Sequence, residues 1–251
     1  MDGHPDTMAW AGTITFGDGW AVYRGSAADN TLHAHAAIQV VFAEAGSATV
    51  VSGKGEDHVG AVILIRPLAE HALTSRGNVT LLYAEPQSPL AFRLSDLAAQ
   101  ADICVIDPNA FPAQRPDEDL PHWIGRVAER HDAKPPLDRR LRHALALLAE
   151  TPGTASISET SRRCDLSESR LRTLAREQLG LPLSTWLVWR KLERAARAMN
   201  DGETLAMAAA AGGFADQAHL ARAMRRMFGI TPRTAQSSSL RRDSRSVQEL
   251  M

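Results

Sequence analysis

The chain has 251 residues and a formal net charge of −1, long enough for one large domain or two modest ones, each with its own core. No apolar run approaches the roughly 20 residues that span a bilayer, the acidic N-terminus is unlike a signal peptide, and two isolated cysteines argue against a disulfide framework. We therefore expect a cytoplasmic protein with no membrane partner.

The charge is divided unevenly along the chain. Residues 1–133 carry 8 Lys+Arg against 17 Asp+Glu, whereas residues 134–251 carry 20 against 12. This change of sign predicts a domain boundary near residue 134. It also makes the basic half the candidate for binding a polyanion.

Short apolar runs between residues 14 and 85 predict a small antiparallel barrel or sandwich. Runs such as IQVVFAEAG and VGAVILIRP are separated by Gly, Asn, Asp and Pro, which is a rhythm of strands and turns. Because the rest of the chain has helical periodicity, the predicted fold class is α+β, with a small β-barrel followed by an all-α domain.

Four polar residues in the β region have a distinctive spacing. His33 and His35 form a His-x-His pair, Gln39 follows, and His71 comes later. The pattern resembles a degenerate cupin, and the resemblance implies a barrel in which a His-x-His pair, a carboxylate and a later histidine hold a divalent metal. Gln39 stands at the carboxylate position, where an amide oxygen is a weaker ligand for a transition metal.

Three hypotheses for this histidine group stay open. The histidines could hold nickel, zinc or iron. They could instead line a small-molecule effector pocket and act through hydrogen bonds, or they could belong to a purely structural barrel.

The segment 93–135 is predicted to link the two domains. Residues 95–100 favour a short helix, residues 102–107 favour a strand, and the proline-rich stretch 108–119 favours a linker. Residues 117–131 predict an amphipathic helix, which serves either as a dimerisation helix in a homodimer or packs on its own barrel. Its apolar side chains follow i, i+3, i+4, i+7 spacing: Leu120, Trp123, Ile124 and Val127.

Beyond residue 136 the apolar periodicity is helical. Ser156 and Glu159 form a capping box. Residues 235–251 are rich in Ser and Arg and lack apolar periodicity, which favours a disordered tail. The predicted helices lie at about 157–163, 167–179, 183–199, 204–211 and 216–228.

Two pairs of these helices have the pattern of a helix-turn-helix, which needs a supporting helix, a tight turn and a second helix with one free face. Asp165-Leu166 forms the first turn, and Gly212-Gly213 forms the second. In each second helix, arginine and other polar side chains share one face, where they suit phosphate oxygens and base edges. The candidate DNA-binding residues are Ser169, Arg170, Arg172, Thr173 and Arg176 in the first reading helix, and Gln217, His219, Arg222, Arg225 and Arg226 in the second.

A helix of roughly 17 residues joins the two pairs. At 1.5 Å per residue it spans about 25 Å, which with packing at each end suits reading helices one DNA turn, ~34 Å, apart. Its predicted buried side includes Trp186, Trp189, Leu192, Ala196 and Met199. Core packing is the expected role of the tryptophans, with base stacking as the alternative.

Residues 136–234 resemble the AraC/XylS type of bacterial transcription regulator. The resemblance rests on the RKLERA stretch in the joining helix, the Gly-Phe that opens the second reading helix, and the closing FGITP. It implies two helix-turn-helix units joined by a central helix, with the reading helices in successive major grooves. Four positions depart from the basic or aromatic residues usual in the family: Thr173, Ala175, Leu220 and Met224. The DNA sequence that the protein recognises is therefore the property that the resemblance predicts least well.

The leading hypothesis is a sequence-specific DNA-binding regulator, not an enzyme, whose barrel senses a small molecule or a metal. Its expected partners are double-stranded DNA, an effector and a second copy of the chain, with RNA polymerase a further candidate. The alternatives are a metal-dependent cupin enzyme with a helical appendage and a nonspecific nucleoid-type DNA binder. The predicted domains are a sensor at 1–92, a linker with a candidate dimerisation helix at 93–135, a DNA-binding domain at 136–234 and the tail at 235–251.

Overall fold

The computed structural model describes residues 10–74, 77–98, 101–129, 137–150 and 156–239. Its N-terminal part contains a six-stranded sheet, in the order β1-β2-β8-β3-β6-β9, and a three-stranded sheet, in the order β5-β4-β7. All the strand pairs are antiparallel. The strands are β1 Ala11–Gly17, β2 Trp20–Ala27, β3 Ile38–Ala43, β4 Ala48–Ser52, β5 Asp57–Gly60, β6 Val62–Ile65, β7 His71–Leu73, β8 Gly77–Ala84 and β9 Ile103–Val105.

The central strands of the large sheet are buried on both faces, which explains their unbroken apolar runs. In β6, Ile63 packs toward the small sheet while Leu64 packs on the opposite side. Successive residues of a strand point to opposite faces, so a run such as VILI requires cover on each side. The small sheet covers one face. The helices α1 Pro89–Leu97 and α2 Leu120–Glu129 cover the other.

The packing of α2 decides between its two predicted roles. Trp123, Ile124 and Val127 are buried in one cluster with Ile38 and Leu82 of the large sheet. The apolar face of α2 therefore packs on the protein's own β domain, and it does not supply a dimer surface.

The predicted linker at 93–135 is corrected in the same region. Helix α1 begins at Pro89, so the boundary at residue 92 falls inside it. Ser88 caps this helix by accepting a hydrogen bond from the Ala91 amide at 3.1 Å, and Pro89 suits a first helical position. A short 3-10 helix, Pro108–Ala110, follows β9. Because α1 and α2 pack on the large sheet and β9 is its edge strand, this segment belongs to the N-terminal domain up to Glu129.

The C-terminal part is helical. Its helices are α3 Arg139–Glu150, α4 Ile157–Arg163, α5 Glu168–Leu179, α6 Leu183–Asn200, α7 Leu205–Ala211, α8 Gln217–Phe228 and α9 Pro232–Ser239. The predicted disordered tail is wrong for residues 235–239, which continue α9. Residues 240–251 lie outside the described part of the chain. None of the described helices is long and apolar enough to cross a membrane.

Helix α6 is shared by two cores, one for each helix pair. Its N-terminal half, with Trp186 and Trp189, packs with α3 and α5. Its C-terminal half, with Leu192 and Met199, packs with α7 and α8. The fully buried alanine of this half is Ala195 rather than the predicted Ala196. Burial of both tryptophans excludes base stacking in this conformation and assigns them to packing.

The β domain and the helical domain also share a core. Ala36 and Ala37, which precede β3, are buried in one cluster with Leu141 of α3 and Trp186 of α6. Small residues allow the two backbones to approach closely. The contact brings the start of β3, and the histidines just before it, against the helical domain.

Candidate DNA interface and histidine site

The two helix-turn-helix units are built alike. The turn after α4 places Asp165 at a φ of 54°, and the turn after α7 places Gly213 at 68°. The next amide closes each turn onto a carbonyl five residues earlier: Leu166 donates to Ser161 at 2.9 Å, and Phe214 donates to Ala209 at 2.9 Å. The internal duplication seen in the sequence is therefore a duplication of backbone geometry.

The reading helices α5 and α8 also begin and end alike. Ser167 Oγ accepts from the Arg170 amide at 3.1 Å, and Asp216 Oδ1 accepts from the His219 amide at 2.6 Å. Both acceptors satisfy amide donors that a helix N-terminus leaves free. Gly180 and Gly229 end the two helices in the left-handed conformation, at φ 74° and 68°, which favours glycine.

The predicted DNA-binding residues lie on the solvent side of both reading helices. Thr173 is half-buried, and the other nine are exposed. They are opposite the buried sides formed by Leu171 and Leu174 in α5 and by Leu220 and Met224 in α8. The arrangement leaves one polar face of each helix available to a ligand.

The two faces differ in how their arginines are paired. In α5, Arg170 lies 3.4 Å from Glu177 and Arg172 lies 3.4 Å from Glu168. Exposed pairs of this kind contribute little to stability, so these arginines exchange partners at small cost. In α8, Arg222, Arg225 and Arg226 form no ion pair with any described residue. The second reading helix therefore presents the stronger positive face.

The four polar residues predicted from the cupin-like spacing come together in the β domain. His33 and His71 form an antiparallel bridge and exchange two backbone hydrogen bonds of 2.9 Å. Three ligand nitrogens, one each from His33, His35 and His71, lie within 4.8 Å of one another. The three side chains are only 5%, 1% and 1% exposed, and Gln39 is 3% exposed.

Backbone carbonyls fix the tautomer of each ring. The Nδ1 atoms of His33, His35 and His71 lie 3.0, 3.0 and 2.9 Å from carbonyl oxygens. A carbonyl only accepts hydrogen bonds, so each Nδ1 carries the proton and donates. In a neutral ring Nε2 then holds the lone pair. Histidines that bind metals use the same arrangement, with one nitrogen on the ion and the other donating to a carbonyl.

The rings are held neutral by their surroundings. Burial, aided by charge repulsion from His35, lowers the pKa of His33 to about 4. Burial also lowers the pKa of His35, and together with repulsion from the other two rings it holds the pKa of His71 well below its usual range. At neutral pH the group therefore offers lone pairs without first losing protons.

Gln39 completes the site between two of the rings. Its Oε1 lies 2.8 Å from Nε2 of His35 and 3.1 Å from Nε2 of His71. A neutral ring with its proton on Nδ1 accepts a hydrogen bond at Nε2, so it needs a donor there. A 180° turn of the Gln39 amide places the NH2 group at this position and leaves the rest of the side chain where it is. The opposite orientation directs an amide oxygen to the same place. Gln39 can therefore donate to the rings or join them as an oxygen ligand.

Aromatic side chains cover the histidine site, and Trp189, Phe228 and Tyr83 together are called the roof below. The Trp189 ring of α6 lies 5.9 Å from the His35 ring, and the Phe228 ring of α8 lies 6.4 Å from it. Tyr83 of β8 packs against both. The sequence spacing found the histidines but missed this roof, because these contacts join residues more than 100 positions apart.

A cleft of about 420 Å³ lies between the β domain and the helical domain. Its apolar lining includes Phe92, Leu145 and Trp186, and its polar lining includes Glu85 and Arg190. Arg190 pairs with the buried Glu85 carboxylate across the domain boundary. Burial raises the pKa of Glu85 to about 7 even though Arg190 acts to lower it.

Comparison with known families places a helix-turn-helix model on the C-terminal part of the chain. Residues 160–238, from α4 to α9, match the model described as "Helix-turn-helix domain". A comparison with curated proteins found no match.

Solved structures of ToxT from Vibrio cholerae share the whole arrangement. One is 14% identical, with 88% of this chain and 98% of that chain covered and a TM-score of 0.57. A second, bound to (E)-4-(8-methylnaphthalen-1-yl)but-3-enoic acid, is 12% identical, with 90% and 99% covered and a TM-score of 0.57. A third, bound to an unsaturated fatty acid, is 11% identical, with 86% and 94% covered and a TM-score of 0.54.

At these identities the likeness to ToxT concerns the fold, a β-rich N-terminal domain followed by a helical helix-turn-helix domain. The family match, the twin turn geometry and the RKLERA and FGITP motifs agree on the C-terminal part. Residues 160–238 therefore form a helix-turn-helix domain of the AraC type.

Proposed function

We propose that this protein binds a specific DNA site through both reading helices, α5 and α8, and that its β domain senses an effector. The observation that carries the DNA part is the pair of exposed arginine faces on two units with the same turn geometry. The proposed contacts are Ser169, Arg170, Arg172, Thr173 and Arg176 of α5, and Gln217, His219, Arg222, Arg225 and Arg226 of α8.

The test compares Arg222→Ala with the wild type on the genomic fragment that the immobilised wild type retains best. If Arg222 contacts a base, affinity should fall by about 1–3 kcal/mol, and the wild-type affinity should fall steeply with salt because each neutralised phosphate contributes about 0.9 to the slope. Arg115→Ala is the matched control, since Arg115 is exposed in the β domain. Equal affinities of wild type and Arg222→Ala would remove this residue from the contact set.

The same assay separates the nonspecific alternative. A specific regulator binds its site about 10³–10⁷ times more tightly than random DNA. A nucleoid-type binder would show little preference between the retained fragment and random DNA of equal length at physiological salt.

For the sensing part, we propose that His33, His35 and His71 hold one divalent transition ion, with the Gln39 amide oxygen beside them. Three neutral imidazoles suit zinc, nickel or iron(II) rather than magnesium or calcium. Support comes from the carbonyl-fixed tautomers, the convergence of three ligand nitrogens and the low pKa values of the rings. By binding all three side chains, the ion would hold together the segments that carry His33, His35 and His71.

The metal site is tested by titrating the metal-stripped full chain with zinc in competition with a chromophoric chelator. We expect one zinc per chain in the wild type and loss of that binding in His33→Ala with His35→Ala. The control replaces His58 and His122, which lie outside the cluster. Failure of the wild type to bind zinc, nickel or iron(II) would remove the metal hypothesis and leave the DNA proposal standing.

A second candidate effector is an apolar carboxylic acid in the 420 Å³ cleft. The volume suits a small-molecule site, Arg142 and Arg190 are among its lining residues, and two of the ToxT structures hold apolar carboxylic acids. Oleate should then bind the wild type and bind Arg142→Ala less tightly. Equal binding by both would exclude this site.

The enzyme alternative has less support. Within the described residues the cluster holds histidines without Asp or Glu, so it lacks the carboxylate that would act as a nearby general base.

The homodimer and an RNA polymerase contact stay proposals. Because the apolar face of α2 packs inside the chain, a dimer requires a different face, and sedimentation of the full chain measures the oligomeric state.

A further inference from the structure

A short loop before the histidines is bonded directly to the end of the second reading helix. The Thr31 amide and the Thr31 hydroxyl both donate to the Gly229 carbonyl, at 3.2 and 3.1 Å. Asn30 Nδ2 donates to the Phe228 carbonyl at 3.3 Å. The last carbonyls of a helix receive no hydrogen bond from within the helix, so the β domain supplies the donors at the end of α8.

The same two residues are bonded on their other side to the histidine site. The Thr31 carbonyl accepts from His33 Nδ1 at 3.0 Å. Asn30 Oδ1 accepts from the Leu73 amide at 2.7 Å, and Leu73 ends the short strand that begins at His71. Thr31 alone therefore separates His33 from the end of α8, whereas the second path runs from His71 along its strand to Leu73 and then through Asn30 to Phe228.

Side-chain packing reinforces this connection. Phe228, the last residue of α8, belongs to the roof over His35. A Cβ at Gly229 would lie 2.3 Å from the Thr31 carbonyl oxygen and 3.0 Å from His33 Nδ1. The corresponding glycine of α5, Gly180, has no described atom within 4 Å of such a Cβ. Of the two reading helices, α8 is thus the one whose C-terminal glycine abuts the histidine site.

We propose that Asn30 and Thr31 form a clamp through which occupancy of the histidine site controls the C-terminal end of α8, and with it the second unit's affinity for DNA. The proposal rests on the proposed function and adds the route of regulation. An ion held by the three histidines would polarise the Nδ1–H group of His33 through its ring and so strengthen the bond to the Thr31 carbonyl. It would also hold the His33–His71 pair in place, so that the clamp would be ordered from both sides and α8 would be held more firmly.

Coupling of this kind is reciprocal. If ion binding changes the affinity for DNA, DNA binding must change the affinity for the ion by the same factor, usually between about 5- and 150-fold. The clamp also predicts that the coupling between the ion and DNA passes through the second helix-turn-helix unit. Ion binding should therefore leave the C-terminal end of α5 unchanged.

The clamp-breaking variant combines Asn30→Asp with Thr31→Val. Aspartate keeps the oxygen that accepts from the Leu73 amide but loses the donor to Phe228, and valine keeps the shape of threonine without its hydroxyl. Thr74→Val is the matched control. It removes a bond of the same type, from the Thr74 hydroxyl to the Thr49 carbonyl, within the β domain.

Two measurements on the full chain test the proposal. In the first, zinc should change the affinity of the wild type for its retained DNA fragment by at least about fivefold, and the same change should appear in Thr74→Val. The clamp-breaking variant keeps the bond from the Thr31 amide to Gly229, so it should bind zinc within about threefold of the wild type but show a clearly smaller zinc effect on DNA. Unaltered coupling in that variant, or zinc binding to the wild type without any effect on DNA, would overturn the clamp.

The second measurement needs no ion. Amide hydrogen exchange at residues 226–229 should be faster in the clamp-breaking variant and in His33→Ala than in the wild type, with exchange at 177–180 unchanged. Equal exchange at 226–229 in all three proteins would overturn the clamp. Failure of zinc to bind, with faster exchange at 226–229 in the variants, would instead remove the metal hypothesis and leave the clamp.

Discussion

Gln39 is the residue that sets the chemistry of the histidine site. Its amide lies between Nε2 of His35 and Nε2 of His71, where it can serve as a donor without an ion and as a weak oxygen ligand with one. A carboxylate at this position would bind an ion more strongly, but without an ion it would place a negative charge in a buried site. The amide therefore favours a site that is stable both empty and filled.

Gln39→Glu should shift that balance. We expect the zinc affinity to rise by at least roughly tenfold, which corresponds to about 1.4 kcal/mol, because a charged oxygen replaces a neutral one. The zinc-free variant should be less stable by about 1–3 kcal/mol, the cost of a poorly satisfied buried polar group. Zinc titration and urea unfolding of the zinc-free protein measure the two effects. Gln39→Met is the control, since it keeps the volume and offers no oxygen. Zinc binding no tighter than in the wild type would show that Gln39 does not face the ion.

The two reading helices offer an internal comparison. Both end in a left-handed glycine, yet Gly229 abuts the Thr31 carbonyl while Gly180 is open to its surroundings. Gly180→Ala and Gly229→Ala therefore share the cost of a left-handed alanine, about 1–2 kcal/mol. They differ in the contact with the β domain.

Gly229→Ala should destabilise the protein by at least about 1 kcal/mol more than Gly180→Ala, because overpacking against backbone atoms is costly. Urea unfolding of the two variants and the wild type measures this difference. Equal losses would mean that α8 is not pressed against the Asn30–Thr31 loop in solution.

The same elements show what the sequence could predict. Helices α4 to α8 lie within about one residue of their predicted positions, since capping residues such as Ser156 and Ser167 and apolar spacing are local signals. The start of α1 also had a local signal, Ser88-Pro89, which the prediction of a helix at 95–100 did not use. The resemblance of the histidine spacing to a cupin predicts the site formed by the three histidines and Gln39, which come together.

The roof and the clamp had no such signal. Asn30 bonds to Phe228 across 198 positions of sequence, and both residues are ordinary for a turn and a helix end. Their pairing follows from the way the helical domain docks on the β domain, which depends on many weak contacts distributed over both. Sequence periodicity describes each partner's buried face but not which faces meet.

Helix α6 is one of the elements that fix the two domains to each other. Trp186 Nε1 donates to Gln87 Oε1 at 3.0 Å, and Arg197 Nη2 donates to the Gly17 carbonyl at 2.9 Å while its guanidinium lies 4.7 Å from the Phe16 ring. Between these contacts, Arg190 pairs with Glu85. Since α6 also packs in both helix-turn-helix cores, this interface contacts both units through a single helix.

Glu85 makes this interface sensitive to pH. Burial raises the pKa of its carboxyl to about 7 from an ordinary value of 4.5, so between these values the folded protein holds a proton that the unfolded chain releases. The free energy of unfolding should therefore receive a favourable contribution from Glu85 below pH 4.5, which is lost as the pH rises to about 7. Glu85→Gln removes this titration, so the stability of the wild type relative to the variant should decrease between pH 4.5 and pH 8 in urea unfolding. Glu177→Gln, on the exposed face of α5, is the control and should show no such trend. A difference between wild type and Glu85→Gln that is the same at both pH values would place the Glu85 pKa outside this window.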